Sequence, residues 1–282
     1  MSDPVLLRAE GGPVRGPDVA RALAGAGAGR GDVLVVHSSL FSLGRMGEVP
    51  DRSALARGFV EPMLETVGVD GGIMSPTFSF DFCRDGTFDL ESTPTTMGLL
   101  AEEVRRLGSA KRTRHPIFSY ALLGAGAMAF AGASSTTCFG PGSVFDLMQR
   151  EGIVPGRVRL LFLGIECPPF ACTYVHALEE EMGVPYRYHK TFTGVLRTGG
   201  AEEPVSTEFF VRDLSVPVIF DGEALWERWL GAGIVRSSPL GDGGLVIVDV
   251  ADVRRVTLDA MRGRIDFMCR GGYAGLGAGP RC

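Results

Sequence analysis

The chain has 282 residues, of which 45% are hydrophobic and 22% charged, and its formal net charge is −5. This composition fits a globular protein and excludes collagen-like and strongly charged disordered chains. The acidic balance argues against non-specific nucleic-acid binding, which needs a basic surface. No apolar run reaches the roughly 18 residues of a membrane-spanning helix, so no membrane partner is expected.

Six cysteines are spread along the chain without a C-x-x-C pair. Zinc is therefore not expected, nor any other metal. The thiols read as reduced, and with no basic and apolar leader at the N-terminus the expected location is the cytoplasm.

In chain order, residues 17–28 read as a helix closed by the glycine-rich 25–31. That stretch ends a helix instead of following a strand, so it is not a phosphate loop. Residues 32–36 form an apolar strand that runs into His37, Ser38 and Ser39. Hydroxyls and a histidine at a buried strand end are where open α/β sheets bind ligands. Residues 50–68 read as a helix broken by Pro62. A strand over 73–80 again ends in hydroxyls, around Thr77 and Phe78. Residues 81–94 form a long aromatic and acidic loop, which suits a pocket wall.

A helix capped by Thr95 or Thr96 runs to Leu107. Next comes a basic loop, 111–116, held extended before Pro116. Its Arg112 and Arg114 suit phosphate. A strand over 119–124 precedes Gly124-x-Gly126-x-x-Ala129, which lacks the later acidic residue of a dinucleotide fold. Ser143 caps a helix opened by Gly140-Pro141-Gly142.

The apolar run 158–165 reads as a buried strand. A turn containing Pro168 and Pro169 leads into a helix with Thr173, His176 and Glu179. At 3.6 residues per turn these three side chains share one face. A carboxylate beside an imidazole holds its tautomer and raises its basicity. The same spacing is more often a solvated pair, so the neighbouring strand is what lends it weight. Strand pairing is expected over 186–211 around Gly199-Gly200. Helices over 223–230 and 252–264 flank a short hairpin at 241–244. The whole reads as one α/β domain over 1–270 with a flexible tail, 271–282.

Several motifs stand together in order: V-V-H-S-S-L, S-P-T-F-S-F, K-R-T-R-H-P, F-G-P-G-S-V, T-Y-V-H-A-L-E and Y-R-Y-H-K-T-F-T-G. In this the chain resembles the aminoglycoside 3-N-acetyltransferase family over about residues 20–260. The resemblance implies an α/β/α sandwich with a central, mostly parallel sheet and an antiparallel addition in the second half. It implies acetyl transfer from acetyl-coenzyme A to a primary amine without a covalent enzyme intermediate, as in antibiotic resistance. It makes His176 the general base, with Glu179 orienting it and Thr173 beside it. It assigns coenzyme A to His37, Ser38, Ser39, Thr77, Phe78, Arg112, Thr113, Phe139, Gly140 and Ser143. Asp81 and Glu180 are candidate contacts for a cationic acceptor.

The chain departs from resistance members at S-P-T-F-S-F-D-F-C and at A-S-S-T-T-C-F-G. It reads as a divergent branch, with an aminoglycoside, an amino sugar or a biosynthetic amine as acceptor. Two further readings stand beside it: a non-catalytic binder of acyl-coenzyme A or amine, and a thioesterase using Cys167 or Cys172. The oligomeric state is open, a dimer included.

Overall fold

The computed structural model describes residues 3–273. Strands β1 (Leu7–Ala9) and β2 (Gly12–Val14) precede helix α1 (Gly16–Gly25). Next come β3 (Val33–Ser38), β4 (Arg45–Met46), α2 (Arg52–Val67) and β5 (Gly72–Pro76). A short helix α3 (Phe82–Asp85), β6 (Thr87–Asp89) and α4 (Leu99–Arg106) lead to β7 (Lys111–Arg112), β8 (Tyr120–Leu123) and α5 (Val144–Met148). Strand β9 (Val158–Leu163) feeds α6 (Tyr174–Met182), which is followed by β10 (Arg187–Thr198) and β11 (Ala201–Arg212). The last elements are α7 (Gly222–Gly231), β12 (Arg236–Leu240), β13 (Gly243–Asp249) and α8 (Val250–Gly263).

The central sheet has the order β12-β13-β9-β3-β5-β8-β7. Strands β9, β3 and β5 pair in parallel, while β13 and β8 run against them. The outer strands β12 and β7 are again antiparallel to those two, so five of seven strands point the same way. Antiparallel pairing thus extends to β8 and β7 in the first half as well.

Unbroken apolar runs explain why β3 and β9 lie in the middle, since a strand covered on both faces has no polar side. Val33, Val35, Leu160 and Phe162 pack on one face with Val175 and Leu178 of α6 and Val253 of α8. Leu34, Val36, Leu161 and Leu163 pack on the other with Leu23 of α1, Phe59 of α2 and Leu100 of α4. The result is the expected α/β/α sandwich. No helix among the described residues is long and apolar enough to cross a membrane.

Four local expectations are corrected. Helix α2 runs unbroken through Pro62. Proline there removes one backbone donor. The helix persists because Asp51 accepts from Ala54 N–H at 2.8 Å and Leu55, Phe59, Met63 and Val67 are buried. The loop at 81–94 contains α3 and β6, and β6 pairs in parallel with β10. Helix α4 starts at Leu99 after Gly98, because the Thr95 hydroxyl donates to Phe78 O (2.9 Å). Lys111 and Arg112 form a short edge strand in place of a loop. A small sheet, β2-β1-β4, was not anticipated. Most of the expected tail, 274–282, lies outside the described residues.

Candidate active site

Helix α6 begins where β9 has delivered the chain to the C-terminal edge of the sheet. A 3-10 turn, Pro168–Ala171, redirects the chain, and Thr173 is the N-cap. The helix stops at Gly183, which takes φ +63°, and the next N–H, of Val184, closes on Glu179 O at 3.2 Å. A residue without Cβ takes this left-handed position with least strain. Residues 183–186 then turn the chain back, and β10 starts at Arg187 beside the helix it has just left.

Three side chains surround the carboxylate of Glu179, a residue only 1% exposed. His176 Nδ1 lies 2.6 Å from Oε2. Tyr186 donates its hydroxyl to Oε1 at 3.0 Å. Arg187 Nε lies 2.7 Å from Oε2 as an ion pair, off the line of a hydrogen bond. Arg187 Nη2 also approaches His176 Nδ1 at 2.9 Å, and its Nη1 donates to Phe210 O at 3.2 Å. Burial pushes the Glu179 carboxyl up, but His176, Arg187 and the Tyr186 hydroxyl outweigh it and hold the group below its ordinary value. Burial and the adjacent carboxylate push Tyr186 well up, so it stays a donor.

The His176 ring lies edge-on to Phe220, with centroids 5.7 Å apart. Its side chain is 31% exposed, and Nε2 has no hydrogen bond among the described residues. One ring nitrogen is thus held by a buried carboxylate while the other is open. That is the arrangement of a general base. The Thr173 hydroxyl, one turn back, is half-buried and caps nothing. The N–H groups of Val175 and His176 are engaged on the carbonyls of Cys172 and Thr173.

The residues assigned to coenzyme A fall into three groups. His37 at the end of β3 is buried and stacks on Phe162 of β9, with centroids 4.9 Å apart. Burial pulls it down to about 4, and its Nδ1 has no hydrogen-bond partner among the described residues. Ser38 follows it, half-buried, and the exposed Ser39 shares a hydrogen bond with Ser42 (2.7 Å). In the second group Arg112 reaches Thr77. Its Nη2 donates to Thr77 O at 2.8 Å, Nη1 to Thr93 O at 2.7 Å, and Nε to Ser119 Oγ at 3.0 Å. The guanidinium also lies over the Phe88 ring, 4.6 Å from its centroid. Every guanidinium nitrogen of Arg112 is therefore already engaged with the protein. Thr113 is buried and accepts from Tyr120 N–H at 2.9 Å.

The third group is aromatic. Phe78 and Phe139 both pack on Phe118 and Phe145. Gly140 donates to Thr137 Oγ1 at 2.9 Å, and a Cβ there would lie 2.3 Å from that oxygen. Ser143 caps α5 by accepting from Asp146 N–H at 3.1 Å. Of the acceptor candidates, Asp81 pairs with Arg84. Glu180 lies 3.8 Å from His189, which also meets Glu208 at 3.0 Å. Burial raises Glu180, with His189 opposing.

Arg187 and Tyr186 are the site residues that sequence reasoning missed. They follow the helix's glycine stop, Gly183, by four and three residues, a position that carries little local signal. The cysteine alternative fares poorly, because burial pushes the Cys172 thiol up to about 12 and also raises Cys167. Neither supplies thiolate near neutrality.

Comparison with known proteins bears on the family and the fold. The sequence profile described as "Aminoglycoside 3-N-acetyltransferase" matches residues 35–262. Aminoglycoside N(3)-acetyltransferase VII of Streptomyces paromomycinus is 27% identical, over 81% of this chain and 74% of that protein. Among solved structures, aminoglycoside acetyltransferase AAC(3)-Xa superposes with a TM-score of 0.74 at 23% identity, covering 89% of this chain and 93% of that one. AAC-IIIb in a binary complex with CoASH gives 0.72 at 21% identity, covering 89% and 97%. The YokD protein of Bacillus subtilis gives 0.70 at 16% identity, covering 89% and 94%. The chain belongs to the aminoglycoside 3-N-acetyltransferase family and is an N-acetyltransferase.

Proposed function

We propose that the chain moves an acetyl group from acetyl-coenzyme A to a primary amine of an aminoglycoside by direct attack, with His176 as general base. The observation that carries this reading is the pairing of His176 Nδ1 with buried Glu179 at 2.6 Å, which leaves Nε2 open. The bound CoASH of AAC-IIIb supports the donor, and the relative from Streptomyces paromomycinus supports the acceptor class.

An alkylammonium has no lone pair, so a proton must leave before or during attack. His176 Nε2 takes that proton from the amine. The nitrogen forms a bond to the thioester carbon, the C–S bond breaks, and the thiolate leaves and takes up a proton. The imidazolium is stabilised by Glu179, whose ionised form is favoured by the donors around it. The oxyanion needs donors, and the Thr173 hydroxyl, half-buried at the start of this helix, is a candidate. Glu180, partly buried beside Glu208, gives the cationic acceptor an acidic neighbour.

Thiol release from acetyl-coenzyme A in the presence of aminoglycosides, amino sugars or simple amines tests the reading. His176→Ala is expected to keep its fold and coenzyme A binding while turnover drops by about 10²–10⁴. Near-normal turnover in that variant, or release that ignores the amine, sinks the assignment.

A further inference from the structure

Two groups compete for one nitrogen of His176. Glu179 Oε2 lies 2.6 Å from Nδ1, and Arg187 Nη2 lies 2.9 Å from the same atom. Arginine carries donors only, and an ionised carboxylate accepts only. Nδ1 therefore satisfies Glu179 when it bears the proton, and Arg187 when it does not. The two cases are the two tautomers of the ring, and only one leaves Nε2 bare.

The charge of Glu179 decides between them. If the carboxylate is ionised, the proton in the short contact must sit on Nδ1, because two lone pairs would otherwise face each other at 2.6 Å. If Glu179 is protonated, its acid O–H donates to Nδ1 instead. The neutral ring then carries its own proton on Nε2, and the dyad keeps its shape but has no free base.

Burial favours the protonated form of a carboxyl this hidden. Tyr186 opposes this with a neutral hydroxyl on Oε1. Cys269, beside Tyr186, is held as a neutral thiol, pushed up to about 11 by burial, and Asp266 next to it carries the wrong sign. Apart from His176 itself, Arg187 is the cation paired with Glu179 among the described residues.

We propose that Arg187 is a positioning residue: its pairing with Oε2 maintains the ionised carboxylate that selects the Nδ1–H tautomer and leaves Nε2 free. Its effect on turnover rests on the general-base reading above, whereas its effect on the tautomer does not. The contact of Nη2 with Nδ1 acts in the opposite direction, so the two contacts of one guanidinium set a balance that can be measured.

The experiment uses the full chain labelled with ¹⁵N-histidine, as wild type, Arg187→Gln, Arg187→Met and Arg187→Lys. The His176 signals are assigned by their loss in His176→Ala. Nitrogen spectra at neutral pH distinguish Nδ1–H from Nε2–H. The wild type is expected to show Nδ1–H. The two uncharged variants, of which either suffices if the other fails to fold, are expected to show Nε2–H. Their kcat/KM is expected to fall about tenfold or more at neutral pH and to recover at higher pH. The acid limb moves to about one unit or more above neutral pH, because Glu179 now ionises later. Arg187→Lys is expected to restore most of the wild-type behaviour. A wild type carrying Nε2–H overturns the inference. So does an uncharged variant that keeps Nδ1–H, or one that loses activity equally at every pH. If His176→Ala keeps its turnover, the general-base reading falls, and the nitrogen spectra still decide the role of Arg187.

Discussion

His115 and His176 show two uses of one side chain. His115 accepts from the N–H groups of Ile117 (3.2 Å) and Phe118 (2.9 Å) at Nδ1, and its Nε2 lies 3.3 Å from Thr207 Oγ1. Burial pulls it down to about 4, so it stays neutral near pH 7. It fastens the 113–118 loop to β11 and has no nitrogen left for chemistry. His176 gives one nitrogen to a buried carboxylate and keeps the other open. The two rings also need opposite tautomers: His115 must leave Nδ1 bare, while His176, as the proposed base, must protonate it. Burial with both nitrogens engaged makes a fastener. Partial exposure with a carboxylate behind is the arrangement that the proposed base needs.

The sharpest way to break this contrast is Glu179→Gln. The amide preserves shape but removes the charge that distinguishes the two histidines. Turnover is expected to fall by about 10²–10⁴, as when the carboxylate behind a catalytic imidazole is neutralised. Stability is expected to fall by on the order of 3 kcal/mol, because Arg187 loses its buried partner. Thiol-release rates and urea melts check the two effects. An active, stable variant would show that the carboxylate does not set His176 apart.

The second test reads the fasteners. His37 and His115 both titrate at about 4 in the folded chain, against 6.5 ordinarily. Between these values the unfolded chain binds more protons. Stability from these rings is therefore full above pH 6.5 and declines as pH falls towards 4, by up to about 1.4 kcal/mol per pH unit for each ring. Glu179 acts in a lower window. Its folded value is depressed, so its contribution is present above the ordinary carboxylate range and is lost as pH falls through the folded value. Urea midpoints from pH 7 to pH 4 should show the slope. His115→Ala should reduce the slope while costing about 1–3 kcal/mol at pH 7, from the N–H groups left without an acceptor. A flat profile would mean that the buried rings take up protons freely.

The smallest effect belongs to Arg114, one residue from His115. Its pair with Glu203 joins two side chains about half exposed. Arg114→Ala is expected to change stability by less than about 1 kcal/mol and to leave the acid slope intact. A larger loss in urea melts would mean that the pair is better shielded than its exposure indicates.

The helix–strand order around α6 was legible because apolar runs and the spacing of His176 and Glu179 are local signals. The antiparallel ribbon of β10 and β11 was legible from Gly199-Gly200 between two extended stretches. Arg187 was not, because its importance depends on β10 folding back beside α6. The fate of Arg112 was equally hidden. Its sequence context suits phosphate, but the carbonyls that engage it come from Thr77 and from Thr93, far along the chain. Pro62 misled because burial along α2 outweighs one missing donor. The strands of the N-terminal sheet span only two or three residues, too short for alternation to be read.

The ribbon gives the position of Arg187 a further meaning. Strands β10 and β11 pair without interruption from Arg187 with Arg212 to Thr198 with Ala201. The arginine therefore stands at one end of a ladder roughly 40 Å long, at about 3.4 Å per residue. At the other end Gly199 and Gly200 make the turn; an added Cβ at either would meet nothing within 4 Å, and Gly199 N–H donates to Glu91 Oε1 at 3.2 Å. Residues added at that tip leave every rung unchanged. One residue added inside β10, unless a bulge absorbs it, swings Arg187 to the opposite face and away from Glu179. The ribbon is thus a ruler whose zero mark lies at the candidate site and whose glycine turn has room for added length.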